Sequence, residues 1–174
     1  MGQERDAISQ GRGKWSRAGV PHKGWVCVNE YDAFEALGEG EFGTCGMCES
    51  AQVRFVHVME NERYDGQLSC GCVCAGHMAE DLQSAEARDQ QMRSKAGRRD
   101  HFPKRAAWQT SAKGTPYIKV DGYHLMLVSK RDGTFSVGAS RPGSKETVWG
   151  KRRYATIEAA QKGCFDAWQH LAGA

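Results

Sequence analysis

Residues 68–78 read LSCGCVCAGHM. Cys70, Cys72 and Cys74 occupy alternate positions, and His77 follows three places later. Upstream, TCGMCES (44–50) carries Cys45 and Cys48 as a Cys-x-x-Cys pair, with Gly46 expected to ease the tight turn between them. Between the two groups, VRFVHVME (53–60) is β-branched and aromatic-rich and reads as a strand. NERYDGQ reads as a turn with Asp65-Gly66 at its tip, and LSCGCVC as the return strand. The expected unit is a hairpin that brings one cysteine pair to another.

Five of the seven cysteines fall between residues 45 and 74. Tetrahedral zinc takes four thiolate or imidazole ligands, and a Cys-x-x-Cys supplies two of them from one tight turn. Zinc is therefore the expected cofactor. Buried free thiols, a disulfide pair and an iron–sulfur cluster are the alternatives that the same residues allow. In a strand, positions 70, 72 and 74 share one face. Cys72 and Cys74 lie nearest the start of the next helix, and Cys74 with His77 forms a competing Cys-x-x-His pair. Cys27, in an apolar strand (KGWVCVN), and Cys164, on an apolar helix face, read as core.

The chain has 174 residues, with 24 Lys+Arg against 21 Asp+Glu and a net charge of +3. That suits one domain or two very small ones. The mild basicity permits nucleic-acid contact without requiring it. No apolar run approaches the roughly 18 residues of a membrane span. The opening MGQERDAISQGRGKWSRAG has no apolar core of a secretory signal, so a cytoplasmic location is expected, where cysteines are thiols or metal ligands rather than disulfides.

Residues 1–20 are rich in Gly, Arg, Ser and Gln and read as a flexible tail. A zinc-binding hairpin module is expected over 21–80. A helix and linker follow over 81–106. Good helix formers run from Met78 to about Arg99, acids first and bases last, which complements the helix dipole. The stripe Met78, Leu82, Ala85, Met92 and Ala96 is thin, so most of this helix should face water. DHFPKRAAW breaks it at Pro103.

Residues 107–174 read as a β-β-β-α unit. TPYIKV, YHLMLVSK and TFSVGAS are separated by the turn dipeptides Asp121-Gly122 and Asp132-Gly133, and KETVWGKRRY offers a fourth strand. A helix follows with Thr156 as N-cap and Ile157, Ala160, Cys164, Trp168 and Leu171 on its apolar face. The predicted fold class is α+β: a ribbon- or treble-clef-like hairpin with a trailing helix, then this small unit.

CGMCES, VRFVHVMEN, GCVCAGHM and WQTSAKGTPYIKVDGYHLMLV are similar to a group of short bacterial and phage proteins of no known activity, with the core Cys-x-x-Cys … Gly-Cys-x-Cys-Ala. The group has Lys-Gly-Asn where this chain has KGT at 113–115. The resemblance implies that Cys45, Cys48, Cys72 and Cys74 are the metal ligands, with His77 as rival fourth ligand and Cys70 as a spare thiol. The C-terminal part is similar in layout to the three-stranded-sheet-plus-helix DNA-binding domains of plant ethylene-response factors and phage integrase arms.

Four thiolates close a zinc site, and no His-Glu-x-x-His, phosphate loop or nucleophile elbow is present. His57 and Glu60 alternate onto opposite faces of a strand and make no acid–base pair. A non-enzymatic role is expected. Arg98, Arg99, Lys104 and Arg105 form one basic group, Lys151, Arg152 and Arg153 another, with Trp108, Trp149 and Tyr154 interleaved. Such patches contact phosphate, so nucleic-acid binding is the expected function. The alternative is a protein–protein interaction module of a phage or mobile element acting on a host protein.

Overall fold

The computed structural model describes residues 7–173. The chain divides into two compact units, Met1–Ala96 and Gly97–Ala174, and is mixed α+β.

The first unit is built on β1 (Val26–Asp32), the one-turn α1 (Ala33–Ala36), β2 (Gly43–Thr44), β3 (Gln52–Val53), β4 (Phe55–Glu60) and β5 (Leu68–Cys70), followed by α2 (Cys72–Ala79) and α3 (Leu82–His101). Strands β1, β4 and β5 form an antiparallel sheet in the order β1-β4-β5, and β2 pairs with β3. Within it His57 lies opposite Glu30 on β1 and Cys70 on β5. The Asp32 side chain caps α1 by accepting from the Phe34 N–H at 3.0 Å, and it also receives Arg54 Nε and a terminal guanidinium nitrogen.

The return strand is shorter than its alternation suggests. It ends at Cys70, and Gly71 in extended backbone (φ −75°, ψ 164°) leads directly into α2. The expected helix from Met78 is two helices. Glu80, at φ 57°, ends α2 in the left-handed conformation, and the Asp81 carboxylate then caps α3 by accepting from the Ser84 N–H at 2.9 Å. The thin stripe holds: only Ala85, Met92 and Ala96 of α3 are buried.

The tail reading fails from residue 7 onward, while residues 1–6 lie outside the described residues. Ala7 and Trp15 are buried in the same cluster as Cys45, Met47 and Cys48. A short 3-10 turn, Gly13–Ser16, sets Trp15 there. Polar, glycine-rich composition hid one aromatic anchor whose burial is enough to order its neighbours.

In the second unit β6 (Gln109–Thr110), β7 (Pro116–Val120), β8 (Tyr123–Ser129), β9 (Phe135–Ser140) and β10 (Val148–Trp149) form an antiparallel sheet in the order β10-β9-β8-β7-β6. The helix α4 (Ile157–Ala172) packs on β8 and β9. Asp121 (φ 49°) and Gly122 (φ 80°) are both left-handed, and Val120 pairs with Tyr123, as a two-residue primed turn requires. Thr156 caps α4 by accepting from the Ala159 N–H at 3.1 Å. Ile157 leaves the expected apolar face and is exposed, whereas Phe165 joins Ala160 and Cys164 in the core. The expected linker is also core: Phe102 is 2% exposed and packs against Trp108, Phe165 and Trp168. No helix among the described residues is long and apolar enough to cross a membrane.

Candidate metal centre

The sulfurs of Cys45, Cys48 and Cys74 lie within 4.8 Å of one another, all buried, and could hold a metal ion. Cys70 stands beside them, close enough to act on the Cys45 thiol; its sulfur is also 3.7 Å from that of Met78. Four thiols thus converge from the 45–48 turn, the end of β5 and the first turn of α2.

Cys72 does not join them. Residues two apart on an α-helix are rotated by about 200°, so once the helix begins at Cys72 its side chain leaves on nearly the opposite side from Cys74. The Cys72 sulfur lies instead within 4.8 Å of His57 and Asp89. His77 is exposed on α2 and takes no part in the thiol cluster. Of the expected set, the structure brings Cys45, Cys48 and Cys74 together, while Cys72 stands with His57 and Asp89 and Cys70 lies beside the three.

The turn is held from three sides. Cys45 N–H donates to Ala51 O at 2.9 Å, Gly46 N–H to Ser69 O at 2.7 Å, and Glu49 N–H to Cys45 O at 2.8 Å. Lys14 N–H donates to Met47 O at 2.8 Å, and its ammonium reaches Gly46 O and the Glu49 carboxylate. The left-handed residue is Glu49, at φ 54°, rather than Gly46. Close approach is what demands glycine at 13: a Cβ there would stand 2.6 Å from the Cys48 carbonyl carbon and 2.7 Å from Met47 O.

Backbone amides are aimed at the sulfurs. Cys45 receives the Cys48 N–H, Cys70 the Met47 N–H, and Cys48 those of Ser50 and Ala51. Hydrogen bonds to a charged form favour it. The Cys45 thiol is driven far below its ordinary range, first by the Cys48 side chain and then by those of Cys70 and Cys74. The other three move the opposite way: Cys48 is pushed up to about 12, first by Cys45 and then by burial. Cys70 and Cys74 rise for the same two reasons. Cys45 is thus the cysteine of the four whose thiolate its neighbours favour. A bound cation would let the remaining protons leave.

Trp15 gives an independent indication. Its indole Nε1 is buried and has no nitrogen or oxygen partner among the described residues, yet it acts on Cys74, lowering that thiol's affinity for its proton. A thiolate is the acceptor this N–H lacks. The donor set, its burial and the N–H groups turned toward it fit a thiolate-bound metal ion.

Of the expected basic residues, Arg99 is engaged by Asp166 at 2.7 and 2.9 Å, and Arg153 donates to the Ser136 hydroxyl. Arg98, Lys104, Arg105, Lys151 and Arg152 are exposed. His57 and Glu60 do not meet: His57 is fully buried, and the exposed Glu60 accepts from Gln67. Burial, then Arg88, lowers the His57 pKa, opposed by Asp89, which favours the neutral imidazole. The association of His57 with Cys72 and Asp89 left no spacing signal, because three separate elements supply it. No family model, curated protein or solved structure matches the chain.

Proposed function

We propose that the protein is a structural zinc protein whose ion is held by Cys45, Cys48, Cys70 and Cys74, and that it binds nucleic acid through the C-terminal unit. Thiolates favour zinc or iron–sulfur chemistry, and four of them leave zinc no open position for catalysis. The zinc corner then serves as scaffold, and the working surface lies elsewhere.

One observation carries the nucleic-acid reading. Trp149 is 48% exposed on the edge strand β10, with the Lys130 ammonium 5.7 Å from its ring centroid. Lys151 and Arg152 follow it, both exposed, and Arg152 lies over the Tyr154 ring. An exposed aromatic face framed by cations offers a base a stacking partner and its phosphates a counter-charge.

The test is binding of the zinc-loaded chain to fluorescent single- and double-stranded DNA and RNA at about 50 and about 200 mM salt. Affinity is expected to fall steeply with salt. Trp149→Ala should cost about 1–3 kcal/mol without disturbing the fold. Absence of binding at the lower salt would overturn the reading. A second reading, docking of a protein partner, is favoured by Val26 and Val28, which are 64% and 45% exposed on β1, an edge of its sheet. Metal analysis finding iron in place of zinc would overturn the cofactor assignment.

A further inference from the structure

We propose that His57, Cys72 and Asp89 form a second metal site, for a zinc-class divalent cation, with one coordination position open to solvent.

The three donors come from the middle of β4, the first residue of α2 and the middle of α3. One donor atom of each lies within 4.8 Å of the other two. Tetrahedral bonds of about 2.0–2.3 Å place ligand atoms about 3.3–3.8 Å apart, so the closing movement is small. One imidazole, one thiolate and one carboxylate suit zinc in kind, and the two negative charges neutralise a divalent ion.

His57 supplies the separate reason to expect a ligand. It is 0% exposed, and neither Nδ1 nor Nε2 has a hydrogen-bond partner among the described residues. A buried ring with both nitrogens unsatisfied is costly. Glu30 and Cys27 form a second group with the same His57. One nitrogen can therefore bind the ion while the other donates toward Glu30, the arrangement that orients ligating histidines. Arg88, the neighbouring cation, lies 3.9 Å from that Glu30 carboxylate.

Asp89 is held in position as well. Its Oδ2 receives Arg93 Nε at 2.5 Å, one helical turn along, which leaves Oδ1 for the ion. Cys72 and Asp89 line a pocket of about 560 Å³ together with Arg54, Phe55, Gln90 and Arg93. That pocket gives the fourth position to water. Unlike the thiol cluster, which closes around its ion, this site has three protein ligands and an entrance.

The experiment counts ions on the full chain. Wild type, Asp89→Ala and Cys72→Ser are loaded with zinc, dialysed against a weak chelator and weighed by native mass spectrometry. Cobalt-loaded samples report the thiolate charge-transfer bands, and circular dichroism reports the fold. The expected result is that both variants hold one ion fewer than wild type, with the charge-transfer bands of the four-thiolate site retained. Variants that hold as many ions as wild type would overturn the proposal. So would loss of the four-thiolate bands in Cys72→Ser, because Cys72 would then belong to the first site. If Asp89→Ala alters the fold, Asp89→Asn replaces it with the same expectation.

Discussion

The two units of this chain solve the problem of a small core differently. The C-terminal unit closes a five-stranded sheet with one helix over Phe102, Ile118, Leu125, Leu127, Val137 and Phe165, all at most 3% exposed. The N-terminal core is made of smaller or softer pieces: four cysteines, three methionines and four alanines, with Trp15 and Trp25 as its buried aromatics. A core of the first kind is held by apolar burial at about 25 cal/mol for each Å² removed from water. A core of the second kind places four polar sulfurs where hydrocarbon would otherwise pack, and a cation that drew them together would supply the missing stability. The comparison predicts that metal dependence is confined to one half of the molecule.

Removing the ion should have the largest effect. A structural zinc contributes about 10–16 kcal/mol in small zinc modules, more than a unit of this size can lose. Strong chelation should therefore unfold the N-terminal unit and spare the other. The five tryptophans make this visible by NMR: the indole N–H signals of Trp15 and Trp25 should collapse while those of Trp108, Trp149 and Trp168 persist. Simultaneous loss of all five would break the comparison.

The reverse experiment is next in size. Phe165 packs between Phe102 and Trp168, and Phe165→Ala should cost the C-terminal unit about 3–5 kcal/mol. Metal content should not change, and a drop would show that the halves are not separately stabilised.

Gly13→Ala sharpens the N-terminal side. At φ 63° an alanine is strained by about 1–2 kcal/mol, and its Cβ would meet the backbone of Met47 and Cys48. The variant should exchange its metal faster than wild type, with the melting of the C-terminal unit unchanged.

The smallest predicted effect is a pH dependence on the C-terminal side. Burial, then Asp166, pushes the Cys164 thiol from 9.0 up to about 12. The folded state therefore keeps a proton that the unfolded chain gives up. This group has no effect below pH 9 and costs about 1.4 kcal/mol for each pH unit above it until its folded value is reached. The difference in thermal unfolding between wild type and Cys164→Ala isolates the contribution. It should be flat from neutral pH to about 9 and diverge above that.

How far the chain could be read before its structure follows the same division. In the C-terminal unit local rules agree with each other. Asp121-Gly122 demands a primed turn, Thr156 caps, and apolar residues recur at the period of the element they form, so strands, turns and helix were all legible. Ile157, Phe165, the buried Phe102 of the expected linker and the two-residue β6 escaped. In the N-terminal unit the cysteine clustering and the 53–60 strand were plain, but two rules conflicted. Alternation at 70, 72 and 74 argues for one face of a strand, while Gly71 followed by Cys-Val-Cys-Ala begins a helix. The helix prevails, and a change of period at one residue takes Cys72 away from the group that Cys45, Cys48 and Cys74 form. The ordering of Trp15 against the 45–48 turn and the meeting of His57, Cys72 and Asp89 are tertiary facts, without local spacing to announce them.

The proposed zinc site is completed by Cys70 and not by Cys72. Cobalt substitution of Cys70→Ser and Cys72→Ser tests it directly. Cys70→Ser should lose much of the thiolate-to-cobalt charge-transfer intensity and destabilise the N-terminal unit, while Cys72→Ser should retain the bands of the four-thiolate site. The opposite pattern, with the bands kept in Cys70→Ser and lost in Cys72→Ser, would contradict it.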